Sequence, residues 1–208
     1  MLELAGESPC SLLRNSSTPD DAALTKAFIN LFQRGLVQRE KDRLVVSGEG
    51  RLFVRLRNAP TAVVMSRHPP VGSKCICYVE EDILFLVELV DAILARQYRL
   101  QALRRPELAA WLLDAGLLDR PVLTDEDIPE LASLFIDELE ENAGQALFRL
   151  EKYRNGGELL ETYELRRGRS GRLLYHAGMT ACGTEIYTTE ALSRMLTACF
   201  GKGPYDYC

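Results

Sequence analysis

Residues 98–117, YRLQALRRPELAAWLLDAGL, set the plan of the chain. They read as a short strand, a sharp entry and one helix. Leu108, Trp111, Leu112 and Ala115 stand at i, i+3, i+4 and i+7, one face of an α-helix. Pro106 suits the first helical position, where its missing N–H costs nothing. Gly116 suits the left-handed position just past the helix, with Leu117 folding back as the apolar contact. The same arrangement returns at residues 184–201, TEIYTTEALSRMLTACFG. There Leu192, Met195, Leu196 and Cys199 repeat the spacing at a constant offset of 84 residues, and Gly201 closes the helix. The spacing predicts a chain built twice on one plan, with halves at about 18–120 and 121–208 inside a single domain spanning 1–208.

Working outward, the first half opens with a helix. Thr18 caps it, Pro19 takes the first position, and Asp20 and Asp21 face the positive end of the dipole. Leu24, Phe28, Leu31 and Phe32 form its apolar face, and Gly35-Leu36 ends it. A hairpin turning at Lys41-Asp42 follows, then a helix capped by Ser47 that carries Leu52, Phe53 and Leu56. Four strands come next, at 61–67, 74–79, 83–89 and 98–103. The third is apolar on both faces, so it is expected at the centre of the sheet. Segment 90–97 is read as strand or helix. The second half starts with a helix capped by Thr124, with its apolar stripe on Ile128, Leu131, Phe135 and Leu139. Strands at 145–154 and 159–166 join through Asn155-Gly156-Gly157, a strong hairpin signal. Strands at 171–177 and 184–188 complete the set. Runs of adjacent strands predict an α+β fold, an antiparallel sheet covered by helices.

Composition narrows the function classes. The chain has 208 residues, 47% hydrophobic and 26% charged, enough for a core. Its formal charge is −5, which argues against nucleic acid as a main partner, because that affinity rests on cationic neutralisation of phosphates. The start, MLELAGESPCS, lacks a basic segment followed by an apolar one, so no signal peptide is expected. The longest apolar run, 83–90, is broken by Glu88 and far too short to span a bilayer. A cytoplasmic protein is expected. Cys10, Cys75, Cys77, Cys182, Cys199 and Cys208 show no framework spacing and read as reduced thiols. No second ligand pair accompanies Cys75 and Cys77, so no metal site is expected.

Catalytic motifs are missing from the sequence. Gly168-Arg169-Ser170-Gly171 lacks the spacing of a nucleophile elbow, and Gly201-Lys202-Gly203 lacks the glycine a phosphate loop needs. His176 lies six residues from Cys182, but no signature surrounds either. Asp137, Glu138, Glu140 and Glu141 read as a solvated helix face. No cofactor and no enzymatic activity are expected. Arg166, Arg167, Arg169 and Arg172 gather around one hairpin turn and suit an acidic partner segment or a phosphate. Tyr163 and Tyr175, read as exposed residues of nearby strands, join them as candidate partner-binding residues.

Residues 28–56 resemble the second part of a winged helix, with Lys26, Asn30, Gln33 and Arg34 as thin recognition positions. The whole order resembles another family more closely. A leading capped helix, the Arg34-Gly35-Leu36 turn, and two similar halves of antiparallel strands followed by a helix are similar to the EspG family, across about 18–201. That resemblance implies a quasi-two-fold fold and a cytosolic chaperone of type VII (ESX) secretion. Its partner would be a secreted helical-bundle substrate, held at its tip. The alternatives are a related accessory protein of a Gram-positive secretion locus, a winged-helix-like transcriptional regulator binding DNA, and a toxin-immunity protein.

Overall fold

The computed structural model describes residues 20–67, 75–91, 97–141, 144–154, 157–179, 181–202 and Tyr205. In chain order the elements are α1 (Asp21–Gln33), β1 (Val37–Glu40), β2 (Arg43–Val46), α2 (Glu49–Asn58), β3 (Thr61–Arg67), β4 (Cys75–Glu80), β5 (Ile83–Asp91), β6 (Gln97–Arg104) and α3 (Glu107–Asp114). A single 3-10 turn at Asp125–Asp127 leads into α4 (Ile128–Glu140), β7 (Gln145–Arg154), β8 (Leu159–Arg167), β9 (Arg172–Gly178), β10 (Cys182–Ile186) and α5 (Thr189–Phe200). The expected cap at Thr18-Pro19 and the Asn155-Gly156 turn lie outside the described residues.

The helix ends follow from their residues. Gly35 and Gly116 adopt φ of 70° and 62°. Each closes its helix with the paired bonds of a Schellman turn: Leu36 N–H to Leu31 O at 2.9 Å, and Leu117 N–H to Leu112 O at 3.0 Å. Lys41 turns the β1–β2 hairpin at φ 55°. Ser47 departs from expectation. It does not cap α2; its hydroxyl donates to Gly35 O at 2.6 Å and ties the hairpin back to the end of α1.

Eight strands form one antiparallel sheet in the order β10-β9-β8-β7-β3-β4-β5-β6. It is two four-stranded meanders joined where β3 pairs with β7, from Thr61↔Arg154 to Arg67↔Phe148. Strand β5 is therefore next to an edge, not at the centre. Its two apolar faces have another cause: Leu84 and Leu86 face one core, and Phe85 faces the other. Two-sided burial reports helical cover, not lateral position. Within 90–97, Val90 and Asp91 end β5 and Gln97 starts β6; residues 92–96 lie outside the described set.

Cross-strand partners share a face, so the register assigns every side chain. One face carries Val63, Met65, Cys77, Leu86, Phe148, Leu150 and Leu165, covered by α3 and α5. The other carries Val64, Ile76 and Phe85 under α2, and Leu173 and Ile186 under α4. Leu108, Leu112, Leu192, Met195, Leu196 and Cys199 are all buried, as their spacing requires. Trp111 is only half-buried and Ala115 is exposed, because α3 is short and ends beside them. Arg105 fastens the two helices' ends. It donates to Lys202 O at 2.8 Å and to Glu81 O. Thr188, fully buried, caps α5 by accepting from Ala191 N at 3.0 Å and donates to Asp125 Oδ1 at 2.5 Å. Among the described residues no helix is long and apolar enough to cross a membrane.

Truncating Leu196 to alanine opens a cavity at the heart of this core and should cost about 2–5 kcal/mol in urea unfolding. Trp111→Ala should cost less, roughly 1–2 kcal/mol, since part of its surface already meets solvent. Equal losses would place Trp111 inside the core.

Candidate functional site

Strands β7 and β8 alternate in a way that leaves charge on one face. Phe148 and Leu150 point into the core with Tyr163 and Leu165; Arg149 and Glu151 point the other way with Glu164 and Arg166. The register sets Arg149 opposite Glu164, and Glu164 opposite Tyr175 of β9. Val64 lies opposite Glu151, and Arg166 opposite Leu173. The charges therefore form a strip between the flank covered by α2 and the flank covered by α4.

The strip is built tightly. Arg166 donates to Glu164 Oε2 from Nε at 2.9 Å and from Nη2 at 2.6 Å. Its guanidinium carbon lies 4.1 Å from the Tyr175 ring centroid, a cation–π contact. Arg149 Nε stands 3.3 Å from Glu151 Oε1 and 3.5 Å from Glu164 Oε1. Tyr153 donates its hydroxyl proton to Glu151 Oε2 at 3.1 Å. The side chains of Arg166 and Glu164 are only 16% and 14% exposed, so each needs the other to offset lost hydration.

The arginine turn is held from below. Glu138 of α4 accepts from Arg169 N and Ser170 N, both at 2.7 Å, and Ser170 Oγ donates to Leu134 O at 2.7 Å. Glu138 is thus a buried anchor and not part of a solvated face, a correction to the sequence reading. Hydrogen bonds from Ser170, then the N–H and charge of Arg169, hold its carboxyl below the usual carboxylate range. A side chain at Gly168 would collide with Glu138, and one at Gly171 would meet the Phe135 ring at 3.0 Å. Both glycines let α4 close on the turn.

The six expected contact residues divide accordingly. Arg166 and Tyr175 sit together in the strip. Arg167 and Arg169 are exposed beside the turn. Arg172 turns away and donates to Asp119 Oδ2 at 2.7 Å, tying β9 to the segment after α3. Tyr163 corrects the expectation of exposure: it is 8% exposed, on the opposite face, stacked on His176 with ring centroids 4.5 Å apart. It faces the core because β8 alternates and Tyr163 falls in phase with Leu165.

Sequence reasoning missed Arg149, Glu151 and Glu164. The signal was present as charges alternating with apolar residues in FRLEKY and ETYELRR, two segments one hairpin apart. His176 and Cys182 do not meet. Cys182 pairs in register with Ala177, one position from His176, so the two side chains take opposite faces. Burial pushes the Cys75 thiol up to about 12, helped by the charge of Glu88, and raises Cys77 and Cys199 as well. Those three thiols are protonated at neutral pH and packed as small apolar groups. Among the described residues, no three His, Cys, Asp or Glu side chains converge as a metal site. Compared with protein-family models, with curated proteins and with solved structures, the chain matches none. What the strip can do is recognise: it offers fixed, paired charges and an aromatic ring on a rigid sheet, the residue types that anchor protein interfaces.

Glu138 makes stability depend on acid. An unfolded glutamate titrates near about 4.3, and the folded one lower, so the unfolded chain takes up the proton first. The stabilisation is complete above that value and is lost as pH falls through the folded value. In Glu138→Gln the acid-unfolding midpoint should flatten over this window, and the amides of Arg169 and Ser170 should exchange faster. Unchanged exchange would show that the turn stands without its anchor.

Proposed function

We propose that the chain is a non-enzymatic binding protein, a cytoplasmic chaperone or adaptor for a secreted helical-bundle substrate of a type VII secretion system. The observation that carries this is the Arg166–Glu164–Arg149–Glu151 strip with Tyr175, a preorganised polar surface between two helix-covered flanks. Further support comes from the order of elements. Each four-stranded meander stands between two helices, α2 and α3 around β3–β6 and α4 and α5 around β7–β10, and the meanders meet at β3 and β7; α1 and the β1–β2 hairpin precede the first set alone. That order agrees with the quasi-two-fold plan implied by the resemblance to EspG-like proteins. We take the two halves as copies of one plan on the same grounds. A chaperone that keeps a substrate soluble needs a shaped surface with a charged rim and no reacting centre. Arg167 and Arg169 would supply that rim.

Duplex DNA binding by the N-terminal helix and hairpin is the competing reading, and residues 20–59 favour it in charge alone, with eight Lys and Arg against five Asp and Glu.

Affinity purification from the native host, followed by mass spectrometry, distinguishes them. A small secreted helical protein should co-purify, and Tyr175→Ala should weaken its binding about tenfold, roughly 1.4 kcal/mol, while the fold melts normally. Recovery of no such partner, or duplex binding with a steep salt slope, would sink the proposal.

A further inference from the structure

Helix α1 stands outside the cores of the molecule. None of the three buried apolar clusters among the described residues includes a residue of α1. Its apolar side chains cover more of its circumference than its packing uses: Ile29 and Phe32 are each 49% exposed. Phe28 and Phe32, one turn apart, stack with ring centroids 6.4 Å apart. Across from them, Leu44 of β2 is 59% exposed. Phe28, Phe32 and Leu44 line an open groove of about 500 Å³, and Arg39, Asp42 and Arg43 stand in its wall among the described residues. The Arg39–Asp42 ion pair is long, 3.8 Å, and its partners are 70% and 99% exposed, so it binds neither residue firmly. Among the described residues Arg43 forms no side-chain hydrogen bond or ion pair. Residues 20–59 are net basic in a chain of formal charge −5.

We propose that this groove between α1 and the β1–β2 hairpin takes an acidic amphipathic helix of a partner protein. The floor supplies aromatic anchors at helical spacing, the form in which an apolar helix face is received. The wall supplies arginines for the carboxylates flanking that face, as does the basic surplus of the whole unit. Nucleic acid fits less well. Helix α1 carries one cation, Lys26, against Asp21, and exposes Ile29 and Phe32 among its polar positions, where a groove-reading helix needs polar and basic groups; Asp42 also lines the wall. This surface is separate from the Arg166 strip and does not rest on what binds there.

The test uses the full chain and a labelled synthetic helix of about 20 residues, roughly 30 Å long, with leucines on one face and glutamates on the other. Fluorescence polarisation should show binding that weakens with salt. Phe32→Ser and Arg43→Glu should each reduce affinity about tenfold, roughly 1.4 kcal/mol, with an unchanged melting temperature because both side chains are exposed. Tyr175→Ala should leave this affinity unchanged. Absence of binding, equal binding of the same helix with lysines for glutamates, insensitivity to both groove variants, or preference for a blunt DNA duplex would each overturn the proposal.

Discussion

The pairing of β3 with β7 is the constraint on which the rest depends. These are the first strands of the two meanders, and each would otherwise present an open edge of unpaired N–H and C=O groups. Running antiparallel over Thr61–Arg67, they close both edges against each other. The consequence is not only a wider sheet. Because cross-strand partners share a face, the join forces α3 and α5 onto the same side, where their leucines enter one common core. Helices α2 and α4 are forced to the other side. There they land on separate patches, since one packs over β3–β5 and the other over β9 and β10. A shared core on one face and two separated helices on the other follow from one strand pairing.

That asymmetry explains the charged strip. On the shared side β7 and β8 lie under helices and carry Phe148, Leu150 and Leu165. On the other side the same two strands run between the helices, and alternation places Arg149, Glu151, Glu164 and Arg166 there. Half-covered by their neighbours, these groups lose much of their water without gaining apolar contacts. Pairing each guanidinium with a carboxylate is the solution that the geometry permits, and Tyr175 adds its ring beneath Arg166.

Much of this was legible in the sequence, for local reasons. Helix ends at Gly35, Gly116 and Gly201, the Lys41-Asp42 hairpin and the span of β7 all rest on turn chemistry and periodicity, which act over a few residues. The class of fold followed from strands in runs. What was not legible depends on who lies opposite whom. The position of β5 near an edge, the burial of Tyr163, and the role of Glu138 need the strand order and the approach of α4. Glu138 is the clearest case. In sequence it is one of several acids on a helix, and only contact with a turn some 30 residues later makes it an anchor. Arg172 likewise looked like one of a cluster until Asp119 claimed it.

The balance of the strip limits what it can recognise. Two arginines and two glutamates cancel, so long-range attraction is weak and net charge selects no partner there. Discrimination must come from pattern. A bound segment that covers the strip removes its remaining water, and any donor or acceptor it brings must then match one already fixed in place. Because Arg166 is held by two hydrogen bonds and a ring, it cannot swing to suit a poor match. Rigid, internally paired charge on a sheet therefore favours one docking geometry over many. The N-terminal groove is built on the opposite principle, with an apolar floor and exposed arginines, and it sits on a helix that enters none of the three buried clusters among the described residues. The two surfaces thus differ in kind: one is rigid and internally paired, the other open and rimmed by exposed arginines.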